Sequence, residues 1–175
     1  SLKLAECGLL GRIPDEISRL SVLRELSLYS NALTGTLPQG FSRLLHLRYL
    51  TLSNNQFHGT LPQYLNNFVL MREFWAHDND FTGPIPSFSQ APDIYRVFLN
   101  DNSLTGLIPS DFIQATIGGM QESETIYVNL ARNLLTGTVP ASLDTLQNLE
   151  IVWMLGDNKW SGISDELCDN SNWNE

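Results

Sequence analysis

The sequence predicts an α/β repeat solenoid of about seven coils, and three registers that recur together along its 175 residues predict it. Gly11, Gly35, Gly59, Gly83, Gly106, Gly137 and Gly162 follow one another at intervals of 24, 24, 24, 23, 31 and 25 residues. Three residues after the first six stand Pro14, Pro38, Pro62, Pro86, Pro109 and Pro140, and only Asp165 breaks the rule. Four residues before each glycine stands Cys7, Asn31, Asn55, Asn79, Asn102, Asn133 or Asn158. The unit reads L-x-x-L-x-L-x-x-N-x-L-T-G-x-L-P, most cleanly from Leu23 to Pro38 and from Leu47 to Pro62.

Each part of the unit has a physical role. Leu26 and Leu28, then Leu50 and Leu52, alternate with polar residues at period two, which predicts a short strand with one buried face. Such strands are expected near residues 25–29, 49–53, 73–77, 96–100 and 127–131. They must be parallel, because a return path of roughly 18 residues separates each from the next. The Asn sits where the chain turns inward, and its amide can satisfy backbone groups of adjacent coils that would otherwise be buried unpaired. Cys7 fits the same slot as a small buried group. Leu33 and Leu37 fill the next side, the Gly permits a turn, and the Pro suits a segment not hydrogen-bonded as a central strand. Phe41, Leu44 and Leu47 recur at helical or 3₁₀ spacing on the return side.

Composition narrows the function. A 42% hydrophobic chain excludes a disordered tail. Ten Lys and Arg against nineteen Asp and Glu give a net charge of −9, the wrong sign for nucleic acid or an anionic membrane surface. Two cysteines make no disulfide framework, no run approaches the ~18 apolar residues of a membrane span, and residues 1–7 lack the pattern of a signal peptide. There is no G-x-G-x-x-G, P-loop, H-E-x-x-H or G-x-S-x-G, so neither an enzyme nor a cofactor is expected. Asp78-x-Asp80-x-Thr82-Gly83 imitates the start of a calcium loop, but its twelfth position is Ser89 rather than Glu. His46, His58 and His77 fall in three different columns of the coil and make no metal site.

Over nearly all of residues 1–167 the chain resembles leucine-rich repeat proteins, and its L-T-G-x-[IL]-P segment is similar to the plant-type subclass. The resemblance implies a right-handed leucine-rich repeat solenoid with a parallel sheet on its concave face, binding other macromolecules rather than catalysing, in an extracellular or cell-surface setting. Plant-type members include receptor-kinase ectodomains and inhibitors of secreted polygalacturonases, and similar repeats occur in algal surface proteins.

The chain departs from the pattern in four places. The 31-residue copy carries its excess on the return path, an insertion near 113–124. There Ser110 and Asp111 are expected to cap a short helix through Ile117, ended by Gly118 and Gly119 and followed by an acidic loop from Met120 to Glu124. In the last copy either Trp153 and Leu155 or Val152 and Met154 point inward, and anchoring on Asn158 favours the first pair. The start inside a repeat at Leu2 and Leu4 reads as a fragment. Residues 168–175 resemble the beginning of a Cys-containing cap, in which Cys168 is either half of a truncated disulfide or a free thiol. Cys7 cannot be its partner, because six coils at ~4.8 Å put it roughly 29 Å away, far beyond the ~7 Å disulfide limit. The sequence has no N-glycosylation sequon.

The residues beside the strand leucines point outward from the concave sheet. The middle column reads Lys3, Ser27, Thr51, Trp75, Phe98, Asn129, Met154; the one before it Glu25, Tyr49, Glu73, Arg96, Tyr127; the one after it Ala5, Tyr29, Ser53, His77, Asn100, Ala131. Tyr29, Tyr49, Trp75, Phe98 and Tyr127 therefore form one aromatic patch beside Glu73, His77 and Arg96, the composition of a binding centre. The expected function is recognition of a protein or peptide, as a receptor or adhesion ectodomain or an enzyme inhibitor. The carboxylates of Glu73, Asp78 and Asp101 suggest a partner with basic character. The other class is a structural subunit or scaffold that contacts neighbours by its edges and the long-repeat loop, with the aromatics merely stiffening the sheet. Thr34, Thr82, Thr105 and Thr136 form a partial column of the kind an ice- or polysaccharide-binding ladder uses, and are expected at the turn instead.

Overall fold

The computed structural model describes residues 1–113, 126–145, 149–150 and 156–165. Among them each coil gives one strand to each of two parallel sheets. The first sheet runs in chain order through Leu2–Lys3, Glu25–Ser27, Tyr49–Thr51, Glu73–Trp75, Arg96–Phe98, Ile126–Asn129 and Leu149–Glu150. Its register is that of the repeat: Ser27 lies beside Thr51, Thr51 beside Trp75, Trp75 beside Phe98 and Phe98 beside Asn129. Leu26, Leu50, Phe74 and Val97 face the core with no exposed surface.

A left-handed residue makes the corner after each of these strands. Glu6, Ser30, Asn54, Asp78, Asp101, Arg132 and Asp157 have φ between 50° and 55°, and Cys7 follows the first and an asparagine each of the others. Its amide does what the sequence predicts. Asn55 Oδ1 accepts from the Leu33 N–H at 3.0 Å, and its Nδ2 donates to the carbonyls of Leu28 and Leu52 at 2.9 and 3.0 Å. Asn31, Asn79, Asn102 and Asn133 repeat the pattern.

The segment after the asparagine differs from expectation. Instead of an unpaired side and a turn, the L-T-G residues form a second parallel sheet through Leu10–Gly11, Ala32–Gly35, Gln56–Thr60, Asp80–Gly83, Ser103–Gly106, Leu134–Val139 and Lys159–Ile163. Thr34, Thr82, Thr105 and Thr136 thus lie in strands rather than at a turn. The reason is the asparagine itself: Asn55 and Asn79 accept from the Leu33 and Phe57 N–H groups at the start of the preceding coil's second strand, which ties neighbouring coils together in register there.

Four of the return sides carry five-residue 3₁₀ helices, at Asp15–Arg19, Gln39–Arg43, Gln63–Asn67 and Ala141–Thr145. Pro14, Pro38 and Pro62 precede the first three in extended conformation. Phe41, Leu44 and Leu47 are fully buried below them. Aromatic residues fill the widest part of the core, with Phe57 and Phe81 stacked at 6.1 Å and Phe74 against Phe88 at 5.3 Å.

Cys7 corrects one expectation. It takes the asparagine slot but is exposed; its N–H donates to Asn31 Oδ1 and its thiol to the Ala5 carbonyl. Residues 110–113, expected to open the insertion helix, form a turn with Ile113 at φ 51°; the rest of the insertion, the inward pair among residues 152–155 and the Cys168 cap lie outside the described residues.

Candidate functional site

The concave sheet places small and large side chains in adjacent coils, and that contrast makes a site. Ser27 and Ser53 are only 9% and 2% exposed and form a floor, while Tyr29, Tyr49, Trp75, His77 and Arg96 rise around them. The result is an open depression of about 540 Å³, bounded also by Glu25, Thr51 and Glu73. Thr51 Oγ1 donates to Ser27 Oγ at 3.0 Å, which ties down part of the floor.

Six of the eight expected site residues line this depression: Tyr29, Tyr49, Glu73, Trp75, His77 and Arg96. Phe98 and Tyr127 lie beyond it but are joined to it. The Phe98 ring meets Trp75 edge to face at 4.9 Å and His77 at 6.5 Å. Tyr127 lies 5.6 Å from the Arg96 guanidinium, which also sits over Tyr95 at 5.2 Å. Tyr29 is 38% exposed, whereas Tyr49, Trp75, Phe98 and Tyr127 are half-buried among one another.

Glu73 organises this cluster. Its carboxylate accepts from Trp75 Nε1 and Arg96 Nη1, both at 3.1 Å, and from the Tyr95 hydroxyl. Burial, followed by the bond to Glu73, pushes the Tyr95 hydroxyl above its ordinary range. Tyr95 is the site residue that the sequence reading missed. It precedes the outward columns by one position, where strand alternation predicts an inward side chain, yet it stands just before the strand's first residue, Arg96, and its side chain reaches sideways to Glu73. The neighbouring Arg72 and Arg48 carry the same signal, because polar residues there cannot belong to the core.

The other carboxylates near the patch are also partnered. Asp101 accepts from Arg132 and, at 2.6 Å, from Asn100 Nδ2; the Arg132 guanidinium holds its carboxyl below the usual range. Asp78 Oδ2 lies 2.7 Å from His77 Nδ1. Among the described residues no group of three His, Cys, Asp or Glu side chains could hold a metal ion, and no helix is long and apolar enough to cross a membrane.

The leucine rich repeat profile matches residues 1–57. No curated protein matches the sequence. Among solved structures, the chain is similar to the ectodomain of the plant membrane receptor kinase GASSHO1/SCHENGEN3 from Arabidopsis thaliana, in complex with CASPARIAN STRIP INTEGRITY FACTOR 2. The identity is 30% and the TM-score 0.77, over 91% of this chain and 18% of that one. It is similar to the Arabidopsis receptor kinase HAESA in complex with the peptide hormone IDA and the co-receptor SERK1, at 30% identity and a TM-score of 0.68, over 93% of this chain and 30% of that one. The BIR2 ectodomain from Arabidopsis thaliana matches at 31% identity and a TM-score of 0.59, over 70% of this chain and 71% of that one. The chain spans about a fifth of the length of the first receptor ectodomains it matches.

Proposed function

Because the chain belongs to the leucine-rich repeat family, of the plant type, we propose that its concave aromatic face is a non-catalytic recognition surface for a protein or peptide. The observation that carries this reading is the Trp75, His77 and Phe98 cluster beside an open depression. The core is already complete on the other face of the sheet, so these rings are not needed to close it. The receptor ectodomains it resembles are found in complexes with a peptide hormone and a co-receptor, which supports a protein or peptide partner and an extracellular or cell-surface location.

The charge of that partner is a finer matter. Glu73, Asp78 and Asp101 each have a cationic or imidazole partner of their own, and of the three Asp78, with 47% of its side chain exposed, is the most open to a basic group. Apolar and aromatic anchors fit the face better than a strongly basic segment. The competing reading, a structural subunit held by its edges and the long-repeat loop, makes the opposite demand. A pull-down with the full-length protein separates them. If the face is the binding surface, Trp75→Ala loses the captured partner while the fold is retained. If Trp75→Ala captures the same assembly as the parent, the concave reading fails.

A further inference from the structure

One edge of the first coils carries a chemistry that the concave face does not use. Residues 17–72 hold five arginines, Arg19, Arg24, Arg43, Arg48 and Arg72, against the single carboxylate of Glu25, a local charge of +4. The remainder of the chain therefore carries −13 of the total −9. Such segregation in an acidic protein needs a reason.

Three of these arginines stand in register at the entry to the concave sheet. The Arg48 N–H donates to the Arg24 carbonyl at 2.8 Å, and the Arg72 N–H to the Arg48 carbonyl at 2.8 Å. Their side chains thus start one strand spacing apart, about 4.8 Å, an arrangement that like charges make unfavourable. Arg24 and Arg48 form no ion pair among the described residues. The row ends in the fourth coil, where Asp93 lies 3.7 Å from Arg72.

An apolar row runs beside the cationic one. Val22 is 78% exposed, Leu45 and Val69 are each 48% exposed, and Leu70 is 37% exposed, all two or three residues before an arginine of the row. Buried Leu23 separates Val22 from Arg24 and buried Met71 separates Leu70 from Arg72, while exposed His46 and buried Leu47 stand between Leu45 and Arg48. Charge and apolar surface interleaved in this way match a protein surface better than a bare polyanion, which would leave the apolar row wet.

We propose that this edge docks an acidic, leucine-bearing segment of a partner protein, with its carboxylates along Arg24 and Arg48 and its apolar side chains against Val22, Leu45 and Leu70. Charge complementarity selects the acidic partner. A second copy of this chain is the poorer occupant, because two molecules of net charge −9 repel. The proposal is independent of the concave face.

A fluorescein-labelled peptide alternating Asp and Leu, titrated into the whole chain and followed by anisotropy, tests it. The expected result is saturable binding that weakens as salt rises, about tenfold or more in Arg24→Glu/Arg48→Glu and several-fold in Val22→Ser/Leu45→Ser, with Trp75→Ala unchanged. Melting curves of each variant verify the fold. Equal affinity for a poly-aspartate peptide, or no loss in Val22→Ser/Leu45→Ser, would reduce the edge to ion exchange and overturn the proposal. So would an absence of binding, loss of binding in Trp75→Ala, or self-association of the chain that Arg24→Glu/Arg48→Glu abolishes.

Discussion

Trp75 and Phe98 meet edge to face across neighbouring strands, their ring centroids 4.9 Å apart and their planes at 84°. That geometry places the positive edge of one ring against the negative face of the other, and fixes both side chains before any partner arrives. His77 packs on the same two rings at 6.2 and 6.5 Å, and Glu73 holds the Trp75 indole through Nε1. A surface whose rotamers are already set loses less entropy on binding, which suits the recognition proposed for this face.

The asparagine ladder makes the first prediction. Asn79→Ala leaves the Phe57 N–H and the carbonyls of Leu52 and Ala76 without their side-chain partner inside the core. A loss of about 1–3 kcal/mol in urea unfolding is expected. Asn31→Ala, at a half-exposed site where water can substitute, is expected to lose less. Equal effects at the two sites would show that burial does not set the cost.

Gly40 makes the second. A Cβ there would lie 2.3 Å from the Asp15 carbonyl oxygen of the previous coil, and its N–H donates to Asp15 Oδ1. Gly40→Ala therefore forces adjacent coils apart and is expected to cost about 3 kcal/mol. Gly106→Ala meets nothing within 4 Å and suffers only the strain of φ +85°, about 1 kcal/mol. Thermal unfolding of the two variants should rank them in that order, and the reverse ranking would contradict the coil spacing.

Acid sensitivity follows from Asp101. Its bond to Arg132 holds its carboxyl below the unfolded value, so the folded state favours the charged form. The stabilisation is present above the ordinary carboxylate range, near about pH 4, and is lost as the pH falls through the lower folded value. Asp101→Asn should flatten this acid limb of the stability profile while leaving its neutral part comparatively level. An unchanged limb would remove Asp101 as a cause.

The repeat was legible because its columns demand particular chemistry. Only a side chain that both donates and accepts serves the slot of Asn55 and Asn79, so the column persists wherever coils stack on both sides. Cys7 fails that rule, and it stands exposed rather than buried. The second sheet was not legible: Leu33-Thr34-Gly35 has the composition of a turn, and it becomes a strand only because the neighbouring coil offers a matching edge. Among the site residues, Tyr49, Trp75 and Phe98 followed from alternation alone. Tyr95 did not, since it stands just before the strand begins at Arg96, where alternation does not yet govern direction.

The central claim is that the concave rings bind, and affinity for the captured partner measured on Trp75→Ala and Phe98→Ala tests it most directly. Each is expected to weaken binding by about 2 kcal/mol or more with little change in melting temperature, as hot-spot aromatics do when truncated at a desolvated centre. Return-side changes such as Ser42→Ala should leave binding untouched. If Trp75 and Phe98 can both be truncated with full affinity retained, the concave face is not the recognition surface.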